Sequence, residues 1–262
     1  MTRKNTFGVC ILKQMTFVLV LLLFFSCSSR DKFLNSDKCP IKPILIPHLG
    51  SIGDNDWLHD DNNGIDSVSD NDWVRLQWDI LIENDLKTIR VYRFANDLNQ
   101  APIKIDSVLW NNTQYIDRFS SVHMDDLSKF NTEWHYFIRV VNIANNYTDS
   151  DTVRFTLIQK PLLNVPLHDT VFENSFEIVF KWSIQDISTR MRILLFENDT
   201  NRLVWKYDEY VIIENKEYIK VYDGLPLPEG SYSWRVDSRG IADISGIYNS
   251  GSKSETRYIH IK

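Results

Sequence analysis

Cysteine is scarce in this chain, with three among 262 residues at Cys10, Cys27 and Cys39. So few thiols exclude a zinc cluster or a disulfide-stapled miniprotein. Glycine is thin as well, at nine, and no phosphate-cradling glycine loop, Gly-x-Ser-x-Gly elbow or His-Glu-x-x-His pair occurs. The six histidines (His48, His59, His123, His135, His168, His260) are scattered, and none sits beside a recognisable nucleophile or at metal-ligand spacing. Lacking those constellations, the chain reads as non-catalytic. The one long apolar run, Met15 to Phe25, has eleven residues. Crossing a bilayer core of ~30 Å at 1.5 Å per residue takes roughly twenty. Cations are also in deficit, with 29 Lys and Arg against 35 Asp and Glu, which argues against nucleic acid as a partner.

What is present begins at the N-terminus. Arg3, Lys4 and Lys13 precede the apolar run, and Ser26 stands directly before Cys27. A basic start, a short apolar stretch and a small residue at its end form an export signal. The pattern resembles the bacterial lipoprotein signal, or lipobox. That resemblance implies a signal peptide over residues 1–26, cleavage before Cys27, and a diacylglyceryl group plus an N-acyl chain (palmitate) on Cys27. Two or more acyl chains hold a protein stably on a membrane, where one binds marginally. Ser28 stands where the family's inner-membrane retention cue would be Asp, so the resemblance implies the outer membrane of a Gram-negative cell envelope. Loss of residues 1–26 removes Arg3, Lys4 and Lys13 and no acid, leaving 26 basic against 35 acidic groups. Cys10 leaves with the signal and Cys27 is blocked by lipid, so no intrachain disulfide is expected and hydrophobic cores must carry the fold.

Residues 27–42 show no periodicity and read as a lipidated tether. Beyond them, apolar and polar residues alternate in short runs between Asn, Asp, Gly and Pro, the period-two pattern of half-buried strands. Val74, Leu76, Trp78 and Ile80 fall on one side of such a run; Phe176, Ile178, Phe180, Trp182 and Ile184 repeat it. The fold class is all-β. Lys42-Pro43-Ile44-Leu45-Ile46-Pro47 is echoed by Lys160-Pro161-Leu162-Leu163-Asn164-Val165-Pro166, Trp78 by Trp182, and Trp134–Val140 by Tyr232–Val236. An internal repeat of that period gives two domains, 43–159 and 160–262. The opening prolines, the strand-B tryptophans and the strand-F alternation together resemble the fibronectin type III family over residues 43 to 262. The resemblance implies two tandem immunoglobulin-like β-sandwiches, with Tyr232 at the family's strand-F tyrosine corner and Asn142 as its asparagine after strand F. Trp134 takes the tyrosine's place in the first domain and lacks the hydroxyl that makes the corner bond. His135 falls on the outward face of the same strand, where a solvated structural role is expected.

The repeat exposes an irregularity. Lys42 to Trp78 spans 36 residues and Lys160 to Trp182 only 22, so the first A–B connection carries an insertion of about fourteen, placed at about 53–72 and holding seven aspartates. Long insertions on rigid scaffolds are disproportionately functional. Calcium, a hard cation, takes six to eight oxygens. With Gly64 at the sixth position of a calcium loop, Asp61 and Asn63 fall on ligand positions, Asp66 follows, and Asp70 takes the twelfth. The first position is His59 rather than Asp and the twelfth is Asp70 rather than Glu, so the motif fails at both ends and a solvated acidic loop is expected, with calcium as the alternative. Trp57 within this segment and Trp73 just after it are the candidates for a glycan-stacking platform. Two functions follow as expectations. One is a non-catalytic lipoprotein that binds an envelope or extracellular protein, or spaces it from the membrane. The other is a glycan-binding accessory lipoprotein of a polysaccharide-uptake system.

Overall fold

The computed structural model describes residues 38–46, 64–95, 101–119, 129–173, 175, 178–210, 216–241 and 250–262. Among them the regular structure is strand, as the period-two runs require. The first half contributes β1 (Ile65–Ser67), β2 (Val74–Gln77), β3 (Leu86–Ala95), β4 (Ile103–Val108), β5 (Gln114–Asp117), β6 (Glu133–Asn142), β7 (Tyr147–Asp149) and β8 (Val153–Leu157). One sheet runs β1–β2–β5, and the facing one runs β8–β6–β3–β4 with β7 also on β6. Leu76, Trp78, Ile89, Val91, Tyr136, Ile138 and Val140 are fully buried between them. Each such side chain contributes about 1.5–3 kcal/mol on leaving water.

The second half contributes β9 (Leu162–Val165), β10 (Thr170–Phe172), β11 (Val179–Ser183), β12 (Arg190–Glu197), β13 (Arg202–Tyr210), β14 (Glu217–Val221), β15 (Gly230–Arg239), β16 (Ser250–Lys253) and β17 (Arg257–Ile261). Sheet β14–β11–β9 faces the sheet built on β12, β15 and β17. Ile178, Phe180, Trp182, Ile193, Leu195, Trp234 and Val236 fill the space between. The two halves are two-sheet β-sandwiches, each with its own core. Tyr232 donates its hydroxyl to the Pro228 carbonyl at 2.8 Å, closing the tyrosine corner. The corner is closed in the first domain too: the Trp134 indole N–H donates to the Lys129 carbonyl at 3.2 Å, so tryptophan replaces the missing hydroxyl.

Several expectations change in the structure. Ile80 is exposed, because β2 ends at Gln77 and the Asp79 carboxylate accepts the Ile80 N–H at 2.7 Å, turning the chain away from the core. His135 is buried rather than solvated; its ring stacks on Phe94 at 4.9 Å and reaches Glu133 at 2.9 Å. Residues 38–42 are docked on the first sandwich. Asn142 donates to the Lys38 carbonyl, Thr148 to the Pro40 carbonyl, and Ile41 N–H to Glu83. Arg93 stands on the inward side of β3, a charge the alternation did not foretell. Asp117 answers it at 2.5 Å, Tyr136 donates to the same carboxylate at 2.9 Å, and the guanidinium lies over both Phe119 and Trp134. Burial, then the Asp117 charge, push the Tyr136 hydroxyl well above its ordinary range.

The insertion also sits elsewhere than expected. Leu45 bridges Trp78, and Ile65↔Leu76 through Ser67↔Val74 continue along the same edge of β2. Strand A is therefore interrupted and then completed by β1, so the insertion lies within strand A and part of the acidic segment is itself a strand.

Candidate functional site: an inter-domain clasp

Where the acidic segment comes down, the two sandwiches meet. β8 of the first domain and β16 of the second pair in parallel, Ser250↔Thr156 and Gly251↔Leu157, so one sheet runs through both domains. Ile158 N–H continues the ladder to the Gly251 carbonyl at 3.3 Å, and the Ser252 hydroxyl donates to the Gln159 carbonyl at 3.1 Å. Small residues suit β16 to a position between two neighbours. Gly251 and Ser252 are buried, and a Cβ on Gly251 would stand 2.8 Å from the Ser238 carbonyl oxygen of β15, so glycine lets β16 lie close on its own sheet while its other edge meets β8. Glycine inside a strand marks the close approach of another backbone.

Three aspartates of the acidic segment lock this junction. Asp66, buried on β1, takes the Lys253 ammonium of β16 at 2.5 Å and accepts its neighbour Ser67 N–H at 2.7 Å. Asp70 has a left-handed backbone (φ 68°), which turns its carboxylate toward the second domain. That carboxylate accepts Thr256 N–H at 2.6 Å and the Thr256 hydroxyl at 3.2 Å, and Asp70 N–H donates to the Ser254 carbonyl at 3.2 Å. Asp72 lies 3.5 Å from Lys129 and 3.7 Å from Lys160, tying the first domain to the start of the second. On the other side Asp186 accepts Asn131 at 2.9 Å and Gln159 N–H at 3.4 Å.

Lys253 ends a cross-strand row of alternating charge. Register sets Asp208 beside Arg192, Arg192 beside Asp237, and Asp237 beside Lys253, with Asp66 beyond it across the domain boundary. Arg192 grips Asp208 with two bonds, at 2.8 and 3.0 Å, and Arg235 grips Asp237 at 2.8 and 3.1 Å. Burial works to lower the Lys253 pKa, but the charges of Asp66 and Asp237 outweigh it and hold the group above its ordinary value. Lys253 therefore meets Asp66 as a charged ammonium throughout the neutral range.

Of the residues singled out in the sequence, Cys27, Trp57, Asp61 and Asn63 lie outside the described residues. Asp66 and Asp70 are brought to one junction, but their oxygens face an ammonium and hydroxyl and amide donors of the second domain. Among the described residues, no group of three His, Cys, Asp or Glu side chains is arranged to hold a metal ion. Trp73 is half-buried, with the Arg118 guanidinium 4.9 Å from its ring centre, so one stacking face is covered. Trp205 packs over Phe180 at 5.3 Å as part of the second core. The residues sequence reasoning missed are Lys253, Ser254 and Thr256. Their signal was Ser250-Gly-Ser-Lys, a strand too poor in apolar side chains to bury itself against its own domain alone.

No protein-family model and no curated protein matches the chain. Among solved structures, three fibronectin domains (FN1–FN3) of chicken CNTN1 align over 86% of this chain and 67% of theirs, at 12% identity and TM-score 0.29. The chicken interferon gamma receptor alpha chain aligns over 74% of this chain and 94% of its own, at 13% identity and TM-score 0.29. Such scores describe a partial likeness, and the sandwich assignment stands on the strand order above.

Proposed function

We propose that the chain is a cell-envelope lipoprotein, anchored through Cys27 in the outer membrane, whose two sandwiches act as one stiff, non-catalytic spacer presenting the far end of the second domain to an envelope or extracellular protein. The observation that carries this reading is the β8–β16 ladder, reinforced by the Asp66–Lys253 pair. Tandem domains joined by a linker and a small polar interface move relative to one another by default. Here backbone pairing, a buried ion pair and two capped amides cross the boundary, and each must break before the domains can bend. Such a spacer transmits position from anchor to partner. The test has two readings. Mass spectrometry of the mature N-terminus must find Cys27 acylated. Electron–electron distance measurements between nitroxides at Ile82→Cys and Leu225→Cys, in a Cys39→Ser background, must give one narrow distribution. A broad distribution rejects the stiff spacer, and an unmodified Cys27 rejects the anchor.

A further inference from the structure

The chain enters the first sandwich at the end opposite the clasp, and that end is apolar. Four segments are knit together there. Asp79 N–H donates to the Ile44 carbonyl, Trp78 N–H to the Thr113 carbonyl, and Ile143 N–H to the Asp85 carbonyl, while Ile41 N–H reaches Glu83 at 2.7 Å. These bonds bring the entering chain, the turn after β2, the turn after β4 and the turn after β6 to one pole. On it, Ile82 is 92% exposed, and Ile41, Ile80, Leu109, Trp110 and Ile143 run from 42% (Trp110) to 70% (Ile41). Large apolar side chains clustered on turns are not explained by the core beneath them, since each projects away from it.

Several polar groups of this pole are already engaged. Lys42 pairs with Asp151 at 2.6 Å, Lys87 reaches Asn145 at 3.0 Å, Asp79 and Glu83 accept backbone amides, and the Trp78 indole donates to the Asn112 carbonyl. With charges mixed in sign and most of them locally engaged, the surface suits a neutral interface. Position supplies the occupant. Ten residues, 28–37, lie between the lipidation cysteine and Lys38, giving eleven Cα-to-Cα steps from one to the other. At no more than about 3.6 Å per residue, they cannot carry this pole beyond about 40 Å from the acyl chains.

We infer that this pole is a membrane-contact surface: its apolar turns settle into the interface of the same leaflet that holds the lipids on Cys27. A tryptophan, the least exposed of the six, beside isoleucines and leucine matches the composition of a surface that enters a bilayer interface, where aromatic rings sit at the headgroups and aliphatic chains pass below them. The first sandwich then stands on the membrane by its base, and the clasp holds the second directly above it. The inference rests on the acylated Cys27 of the proposed function.

The test uses the mature, acylated chain carrying Cys39→Ser, with a nitroxide at Ile82→Cys or, as the outward control, at Leu225→Cys, reconstituted in phosphatidylcholine vesicles. Collision with dissolved oxygen and with a water-soluble nickel chelate reports depth. The expected result is that the label at 82 gains oxygen contact and loses nickel contact on reconstitution, while the label at 225 keeps its aqueous values. Leu109→Cys repeats the reading from a second turn, in case a label at 82 disturbs its own. Introducing Ile80→Asp together with Trp110→Asp must return the label at 109 to water. An acylated chain whose labels at 82 and 109 both stay nickel-accessible overturns the inference and leaves the anchor standing. Equal shielding with and without vesicles, the mark of a second copy covering the pole, overturns it as well. An unacylated Cys27 removes anchor and inference together.

Discussion

The two sandwiches share a plan and differ at one strand. In the second, the chain leaves β9, crosses to the other sheet and lays β10 parallel to the last strand β17, Thr170↔Ile259 to Phe172↔Ile261. In the first, the chain after Leu45 returns as β1 to the edge of β2, and among the described residues no segment of that domain pairs with the edge of β8 that faces away from β6. The parallel partner of β8 is β16, from the neighbouring domain. One domain closes its own edge, and the other has its edge closed for it. An unpaired edge strand invites aggregation, so the inter-domain ladder both stiffens the molecule and protects its first half. The acidic segment follows the same logic: having given up the crossover, strand A ends in aspartates that fasten the borrowed strand.

Separating the domains breaks this comparison most severely. Residues 160–262 alone are expected to unfold in one cooperative step, followed by circular dichroism in urea. Residues 38–159 alone are expected to aggregate or to lose at least about 3 kcal/mol, because the cut exposes the β8 edge and strips Asp66 of its cation. Equal stability of the two halves would refute the borrowed-strand account. Next in size is Asp117→Ala. The first core contains an arginine while the second is apolar, and removing the partner of a buried charge costs about 3–5 kcal/mol. Calorimetry should show the loss in the first domain's transition, with the second unmoved.

Lys253→Ala is expected to cost about 3 kcal/mol by leaving Asp66 and Asp237 facing each other's field without a cation. It should also broaden the distance between nitroxides at 82 and 225. Smaller effects come from the two corners. Tyr232→Phe deletes one hydrogen bond, at about 1 kcal/mol, whereas Trp134→Phe deletes one and also opens space in the buried cluster beneath Arg93, so its loss is expected to exceed the tyrosine's. Urea midpoints of the two variants check the order, and a Trp134 loss no larger than that of Tyr232 would show that the corner bond alone matters there. The least effect is that of pH on the alkaline side. Lys253 is held above the ordinary lysine value, and Tyr115 is pushed up to about 12, first by burial and then by Asp117. Both groups hold protons more tightly when folded, so their contribution is flat below about pH 10 and falls as pH rises beyond it. Urea midpoints measured from pH 8 to 11 check the sign.

Strand positions were legible because alternation is a local property: Leu76, Trp78, Phe180 and Trp182 announce their faces within five residues. The corner tyrosine was legible only through the resemblance to the fibronectin type III family, since periodicity alone does not single out Tyr232. The clasp was not, because Asp66 and Lys253 are 187 positions apart and no periodicity links them. Seven aspartates in one segment drew attention to the right place, but carboxylate spacing along a loop says nothing about an ammonium arriving from another strand. Arg93 was hidden differently. It occupies an inward position of β3 that the pattern reserves for an apolar residue, and its compensation by Asp117, Tyr136 and two aromatic faces appears only once both sheets are packed.

The shared ladder also constrains how this chain can change over generations. Tandem β-sandwiches are ordinarily exchangeable beads, copied, lost or swapped at their linkers. A recombination at Lys160 would hand the first bead a stranger whose penultimate strand lacks the glycine, serines and lysine with which β16 meets β8 and β1. The pair must therefore be inherited as a single unit, and duplication or loss of either half alone would be selected against before any binding partner was consulted.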